Sequence, residues 1–138
     1  SSESFNKLQV AKKNCLFCDF QGNSIFENEF IIAIFDAYPV SPGHSLIITK
    51  RHIQSFFQIS DIEIIYLKLG INETKGQLDN QFRPDGYNIG TNDGEAAGQT
   101  IEHLHIHLIP RYKGDSPDPR GGIRRIFPDK AKYWEDNE

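Results

Sequence analysis

Cysteine, long apolar runs and surplus positive charge are all scarce in this chain. Only two of 138 residues are cysteine, Cys15 and Cys18, and both lie in one Cys-x-x-Cys. Two thiols cannot build the dense disulfide framework of a small secreted scaffold. The longest apolar run is FIIAIF, residues 30–35, far short of the roughly 20 residues that a membrane-spanning helix needs. The first fourteen residues, SSESFNKLQVAKKN, carry no apolar stretch of the signal-peptide kind. A cytoplasmic location with no membrane partner is the expectation. In that reducing compartment the Cys-x-x-Cys reads as a metal half-site or a redox pair. The net charge of −4 gives no bulk attraction to nucleic acid, so any bound anion must be held by a local site.

What the chain does have is enough length for one domain with its own core. Four runs read as strands: Phe30–Asp36, His44–Lys50, Gly86–Asn92 and the histidine segment that Pro110 ends, with a short fifth at Ser24–Glu27. One helix is expected over Asp61–Asn80, because Ser60 and Glu63 have capping-box spacing. Its apolar face is read as Ile62, Ile65 and Leu69, continuing through Ile71, Thr74 and Leu78, with Gly70 and Gly76 counting against it. A short helix is expected at Phe5–Asn14. The core of the domain is placed at about 15–115, and residues 116–138 read as a Pro-, Gly- and Arg-containing tail with little helix or strand signal. Strands gathered around one helix and joined by tight turns give an α+β class with a mostly antiparallel sheet.

Three of the five histidines alternate with apolar residues in HLHIHLIPR, residues 103–111. On a strand, His103, His105 and His107 share one face, while Leu104, Ile106 and Leu108 fill the other. The outer two are then about 13 Å apart, too far for the three to converge on one ion. His44 and His52 bracket the second strand. If the two strands are neighbours, His52 and His103 can join Cys15 and Cys18 in a Cys2His2 set, a ligand mix of structural zinc. His44, His105 and His107 are left together. Upstream, TNDGEAAGQTIE (91–102) has Gly94 and Gly98 flanking a turn, which frees backbone N–H groups to approach an anion. Asn92, Gln99 and Thr100 add polar groups beside it.

GQTIEHLHIHLI (98–109) resembles the signature of the histidine triad (HIT) superfamily, three histidines alternating with apolar residues after Gly-Gln-Ser/Thr. The resemblance extends to CLFCDF (15–20), FDAYPVSPGHSLIITKRHI (35–53) and NDGEAAGQT (92–100). NDGEAAGQT and IPRYKGD are similar to Fhit-like dinucleotide hydrolases, while CLFC and KRHI are similar to zinc-bearing, Hint-like members. The resemblance implies a five-stranded sheet with one long helix, paired as a two-fold homodimer into ten strands. It implies His105 as nucleophile, with His107, His44, Gln99 and Thr100 lining the phosphate pocket. Asn92 and Gly98 would meet phosphate or ribose, Asp36 the ribose hydroxyls and Phe35 the base. Cys15, Cys18, His52 and His103 would hold a structural Zn2+. No catalytic metal is required, although a divalent cation can accompany a polyphosphate substrate.

The chemistry suits these residues. An imidazole can attack phosphorus and form a nucleotidyl-histidine that water then cleaves, splitting one hard step into two. With an ordinary pKa near 6.5, such a ring is largely neutral at pH 7. The implied substrate is an adenosine-type nucleotide, a dinucleoside polyphosphate first and a nucleoside 5′-phosphoramidate second. A nucleotide-binding regulatory module with little catalysis is the competing class, and a metal-dependent hydrolase is disfavoured by the strand spacing. Arg111, Lys113, Arg120, Arg124 and Arg125 follow the triad, either as solvated surface or as contacts to distal phosphates. Tyr133 and Trp134 have no assignment from sequence.

Overall fold

The computed structural model describes residues 14–136. The short helix expected at Phe5–Asn14 lies outside the described residues, apart from its last position. Five strands form one antiparallel sheet in the order β1-β2-β3-β5-β4. They are β1 (Phe26–Glu27), β2 (Ile31–Phe35), β3 (Ser45–Thr49), β4 (Gly86–Gly90) and β5 (His105–Arg111), with one long helix, α1 (Asp61–Phe82), between β3 and β4. This is the α+β architecture that the sequence pattern implies. Among the described residues no helix is long and apolar enough to cross a membrane.

The helix starts as expected. Ser60 Oγ accepts from Glu63 N–H at 3.2 Å, and Glu63 Oε1 accepts from Ser60 N–H at 3.0 Å. It ends two residues beyond the expected point, at a left-handed Arg83 that Pro84 prevents from continuing. The buried face, however, is only partly the one read from the sequence: Thr74 and Leu78 lie on it and Ile71 packs beside it, while the first three positions do not. Ile62, Ile65 and Leu69 are 52%, 56% and 51% exposed, and the seam against the sheet is Glu63, Leu67, Gly70, Thr74 and Leu78.

Close approach explains the rotation. A Cβ at Gly70 would lie 2.4 Å from Ile31 Cδ1, so the glycine that weakens the helix pattern is the point where helix and sheet touch. Thr74 satisfies its hydroxyl by donating to the Gly70 carbonyl at 2.7 Å. Glu63 enters the seam because Arg51 follows it in, donating to both carboxylate oxygens at 3.2 and 2.7 Å. Burial opposes ionisation of Glu63, but bonds from Arg51 and Ser60 outweigh it and hold the carboxyl below its usual range.

Register sorts the sheet into two faces. Ala33, Ile47 and Ile106 align across β2, β3 and β5, and with Leu104, Leu108, Leu67 and Leu78 they form the core under α1. Truncating one of these leucines to Ala costs about 2–5 kcal/mol. On the opposite face, Ile32–Ile48–His105 and Ile34–Leu46–His107 align. Cys15, Phe17, Ile34, Leu46 and Ile48 make a second, smaller apolar cluster.

Two strand limits depart from expectation. His103 precedes β5 rather than lying in it, since Leu104 N–H donates to the Ile53 carbonyl. Pro110 does not stop the strand, which runs on to Arg111. β5 pairs with β3 only as far as Leu108. Beyond it Pro110 faces β4 on one side and Ser41, which donates to its carbonyl at 2.7 Å, on the other. A missing N–H is tolerated in that edge-like setting.

The tail also holds more structure than its sequence signals. Gly122–Ile126 and Pro128–Lys130 form 3-10 turns, and Ala131 is buried. Arg124 donates to the Ala131 and Lys130 carbonyls and stacks on Tyr133, while Arg120 stacks on Trp134 and pairs with Asp118. Tyr133 and Trp134 are thus engaged by the tail's own cations.

Candidate active site and metal cluster

The five histidines divide into the two groups expected. The first group lies where the Cys-x-x-Cys turn meets the end of β3 and the approach to β5. Cys15, Cys18, His52 and His103 bring four ligand atoms within 4.8 Å of one another. Cys15 Sγ is 3.4 Å from His103 Nδ1, Cys18 Sγ is 3.3 Å from His52 Nδ1 and 3.5 Å from His103 Nδ1, and the two Nδ1 atoms are 3.1 Å apart. A tetrahedron with Zn–S near 2.3 Å and Zn–N near 2.0–2.1 Å has edges of about 3.3–3.8 Å, so the spacing fits such an ion.

The orientation of His103 fits too. Its Nε2 lies 2.7 Å from the Thr49 carbonyl, which can only accept, so Nε2 carries the proton and Nδ1 turns a lone pair to the thiols. Burial pushes the His103 pKa down to about 4, which keeps the ring neutral as a ligand must be.

The second group lies on the same face, nearer the middle of β5. His44 enters β3 through Gly43, whose φ of +87° and close approach to Phe82 both require glycine. Val40 N–H donates to His44 Nδ1 at 3.1 Å, so neutral His44 carries its proton on Nε2. That nitrogen is 2.9 Å from His107 Nδ1 and 3.4 Å from Asp36 Oδ2. His107 therefore accepts on Nδ1, and its own proton is on Nε2. His105 is held differently: Nδ1 donates to the His103 carbonyl at 2.8 Å, which leaves Nε2 as a bare lone pair. The rings of His105 and His107 are 5.3 Å apart.

Burial is the main cause that lowers the pKa of both His44 and His107, and the Asp36 carboxylate partly opposes it in each. Positive charge on His105 or His44 would lower His107 further. Both rings are thereby held neutral.

Of the other residues singled out by sequence, Asp36 is half-buried and accepts from Tyr38 N–H on Oδ1, while Phe35 is exposed and meets Phe82 edge-on. Gly94 and Gly98 have φ of +93° and +94°, as the expected turn requires. Asn92 lies exposed after β4. Gln99 is occupied by the loop itself: its Oε1 accepts from Gly94 N–H, and its Nε2 donates to the Gln54 and Ile101 carbonyls. Thr100 borders a cavity of about 340 Å³ on the cysteine side, with Cys15, His52 and Glu102. Among the described residues, no hydrogen bond joins Gln99 or Thr100 to His44, His105 or His107. Arg111 is taken up by Asp115 and Asn88.

Some contributors are absent from the sequence reading. Asp93 pins the glycine loop by accepting from Ser55 Oγ and Phe56 N–H, the latter at 2.8 Å. Its place in an Asn-Asp-Gly turn, and the capping-box spacing of Ser55 and Gln58, were available signals. Phe17, between the two cysteines, packs edge-on against both His103 and His105, with centroids at 5.8 and 5.1 Å. No sequence pattern marks that contact.

Comparison with known proteins agrees with this geometry. Residues 19–114 match the HIT domain family. An uncharacterised HIT-like protein of Methanocaldococcus jannaschii is 36% identical over 106 residues, 73% of this chain and 81% of that protein. The bis(5′-adenosyl)-triphosphatase of Dictyostelium discoideum is 36% identical over 95 residues, covering 69% of this chain and 64% of the enzyme. A zinc-bound histidine triad family protein from Mycobacterium smegmatis superposes with a TM-score of 0.67 at 31% identity, over 76% of this chain and 84% of that one.

Proposed function

Because the chain belongs to the HIT domain family, we propose that it is a nucleotidyl hydrolase or transferase acting on an adenosine-type nucleotide, a dinucleoside polyphosphate first. One observation carries the reading: the His105 Nδ1–H bond to the His103 carbonyl, which leaves Nε2 as a lone pair beside a ring whose own Nε2 carries a proton. His105 Nε2 attacks phosphorus. The N–P bond forms as the bond to the leaving group breaks, and His107 Nε2–H supplies the leaving group's proton. Water then attacks phosphorus, the N–P bond breaks, and His107 recovers its proton from that water.

His44 holds His107 in the tautomer this needs, and Val40 N–H holds His44. Asp36 and Phe35 take the ribose and base, and Asn92, Gly98 and Thr100 border the phosphate approach. Gln99 serves through the loop shape it maintains. A nucleoside phosphoramidate is the second substrate class. The Dictyostelium relative, a triphosphatase by name, supports the first.

Cys15, Cys18, His52 and His103 would hold a structural zinc ion. Four protein ligands leave no open position for water, so its contribution is to tie the Cys-x-x-Cys turn to the sheet. A second copy of the chain is the partner that fits the exposed Ile89 of the edge strand β4. An apolar groove of about 430 Å³ between Ile64, Ile71 and Ile89 lies in the same surface. Isologous pairing there would extend the sheet across a two-fold axis.

The test is turnover of diadenosine triphosphate, diadenosine tetraphosphate and an adenosine phosphoramidate by wild type and His105→Ala. Loss of turnover with an unchanged melting profile supports the assignment; substantial residual activity refutes it.

A further inference from the structure

A cavity of about 350 Å³ lies on the histidine face of the sheet, beyond the residues used above. Its floor is Asn88 and Ile109, directly paired across β4 and β5. Ile109 is two residues past His107 on one strand, so it shares the His107 face and lies about 7 Å further along. One wall is the turn Val40–Ser41–Pro42 that leads into His44. That wall is stapled at two points, since Ser41 Oγ donates to the Pro110 carbonyl and Tyr112 O–H to the Pro42 carbonyl, both at 2.7 Å. The tail borders the same floor, because a Cβ at Gly122 would lie 3.3 Å from Asn88 Nδ2.

The charge there selects the ligand. Arg111 is the cation at the cavity, and its guanidinium is spent: Nε and one Nη donate to the two oxygens of Asp115 at 2.8 Å, and the other Nη donates to Asn88 Oδ1 at 2.7 Å. Asp115 is ionised at neutral pH and cancels that charge. A phosphate gains little from a neutralised pair. A flat, uncharged group with polar edges fits better, against the apolar sides of Val40, Pro42 and Ile109 and beside the Asn88 amide. The volume is at the low end of small-molecule sites, about 300–1,000 Å³, which suits one nucleoside and not a whole dinucleotide.

We infer that this cavity takes the second nucleoside of a dinucleoside polyphosphate whose attacked phosphate lies at His105. A short phosphate bridge spans the distance between them. The inference rests on the proposed nucleotide reading and narrows it to substrates with two nucleosides.

The experiment compares diadenosine tetraphosphate with adenosine 5′-tetraphosphate, which lacks only the second nucleoside, in wild type and Ile109→Trp. For wild type, losing that nucleoside should raise KM about tenfold with little change in kcat. Filling the cavity with Trp should raise KM for the dinucleotide by a similar factor and leave adenosine tetraphosphate unchanged, so the two substrates converge. Ile109→Gln, closer in volume, should give the same pattern more weakly if the Trp variant does not fold. Equal KM values in wild type, or Ile109 variants that weaken both substrates alike, overturn the inference. A wild type that turns over neither substrate sinks the nucleotide reading itself, and this one with it.

Discussion

Two histidine clusters share one face of one sheet, yet they are built on opposite principles. In the Cys15–Cys18–His52–His103 cluster, four donor atoms converge. The Thr49 carbonyl claims the His103 Nε2 proton and so turns the Nδ1 lone pair inward. Lone pairs and thiols that face one another offer a cation its ligands. In the Asp36–His44–His107 cluster, a proton lies between each pair of acceptors: Val40 N–H to His44, then His44 N–H to His107. A head-to-tail chain is satisfied by its own protons and leaves one at its far end, on His107 Nε2. For His44, His103 and His105, the backbone group bound to one ring nitrogen decides what the other nitrogen can do.

The comparison can be broken at several points. The largest effect is expected from His105→Ala, which removes the attacking nitrogen and should cut turnover by about 10⁴-fold or more, measured as AMP release, with the fold intact by circular dichroism. Next, His44→Ala should remove the donor that fixes His107 and lower kcat by about 10²–10³-fold. His44→Gln, whose amide can still donate, should recover part of that loss, and equal defects in the two variants would mean that the hydrogen bond is idle.

The metal cluster should respond in the opposite sense. Cys18→Ser should abolish bound zinc in elemental analysis and lower stability by about 3 kcal/mol, or about 10 °C in Tm, while kcat of the folded protein changes little. A protein that never contains zinc would leave the convergence of four ligands without its ion.

The smallest expected effect is in the pH profile. His44 and His107 have folded pKa values below the ordinary 6.5, so the unfolded chain binds more protons as pH falls through that range. Stability from these two rings is present above about 6.5 and is lost as pH falls through their folded values. Activity should follow, because protonating His107 Nδ1 breaks the chain. Burial lowers both values, Asp36 raises both, and charge on His105 or His44 lowers that of His107. Asp36→Asn should therefore move the acid limb of kcat/KM to lower pH; a limb that moves up would contradict the sign.

Much of this was legible from residue spacing. Alternation in residues 103–109 marks a two-faced strand, and Ser60 with Glu63 marks the helix start, because both depend on local periodicity and local hydrogen bonds. Division of the histidines was legible as well, once two short segments had to supply all five. The helix face was not. Ile62, Ile65 and Leu69 have core character and helical spacing, but only the approach of Ile31 to Gly70 shows that the opposite side turns inward. The tail misled for a related reason, since cation–aromatic stacking and single carbonyl contacts leave no periodic trace.

By itself the sequence determined the main element types, the α+β class and the glycine turn at Gly94 and Gly98, all of which follow from chemistry within a few residues, and it divided the five histidines between two groups. Only the tertiary structure decided which imidazole nitrogen carries each proton, which helix face is buried and what Gln99 and Arg111 hold. Those outcomes depend on groups brought from distant positions: the Thr49 carbonyl to His103, the Asn88 side-chain oxygen to Arg111, and the Ile31 side chain to Gly70. Each contact joins residues far apart along the chain, so local residue identity alone does not announce it.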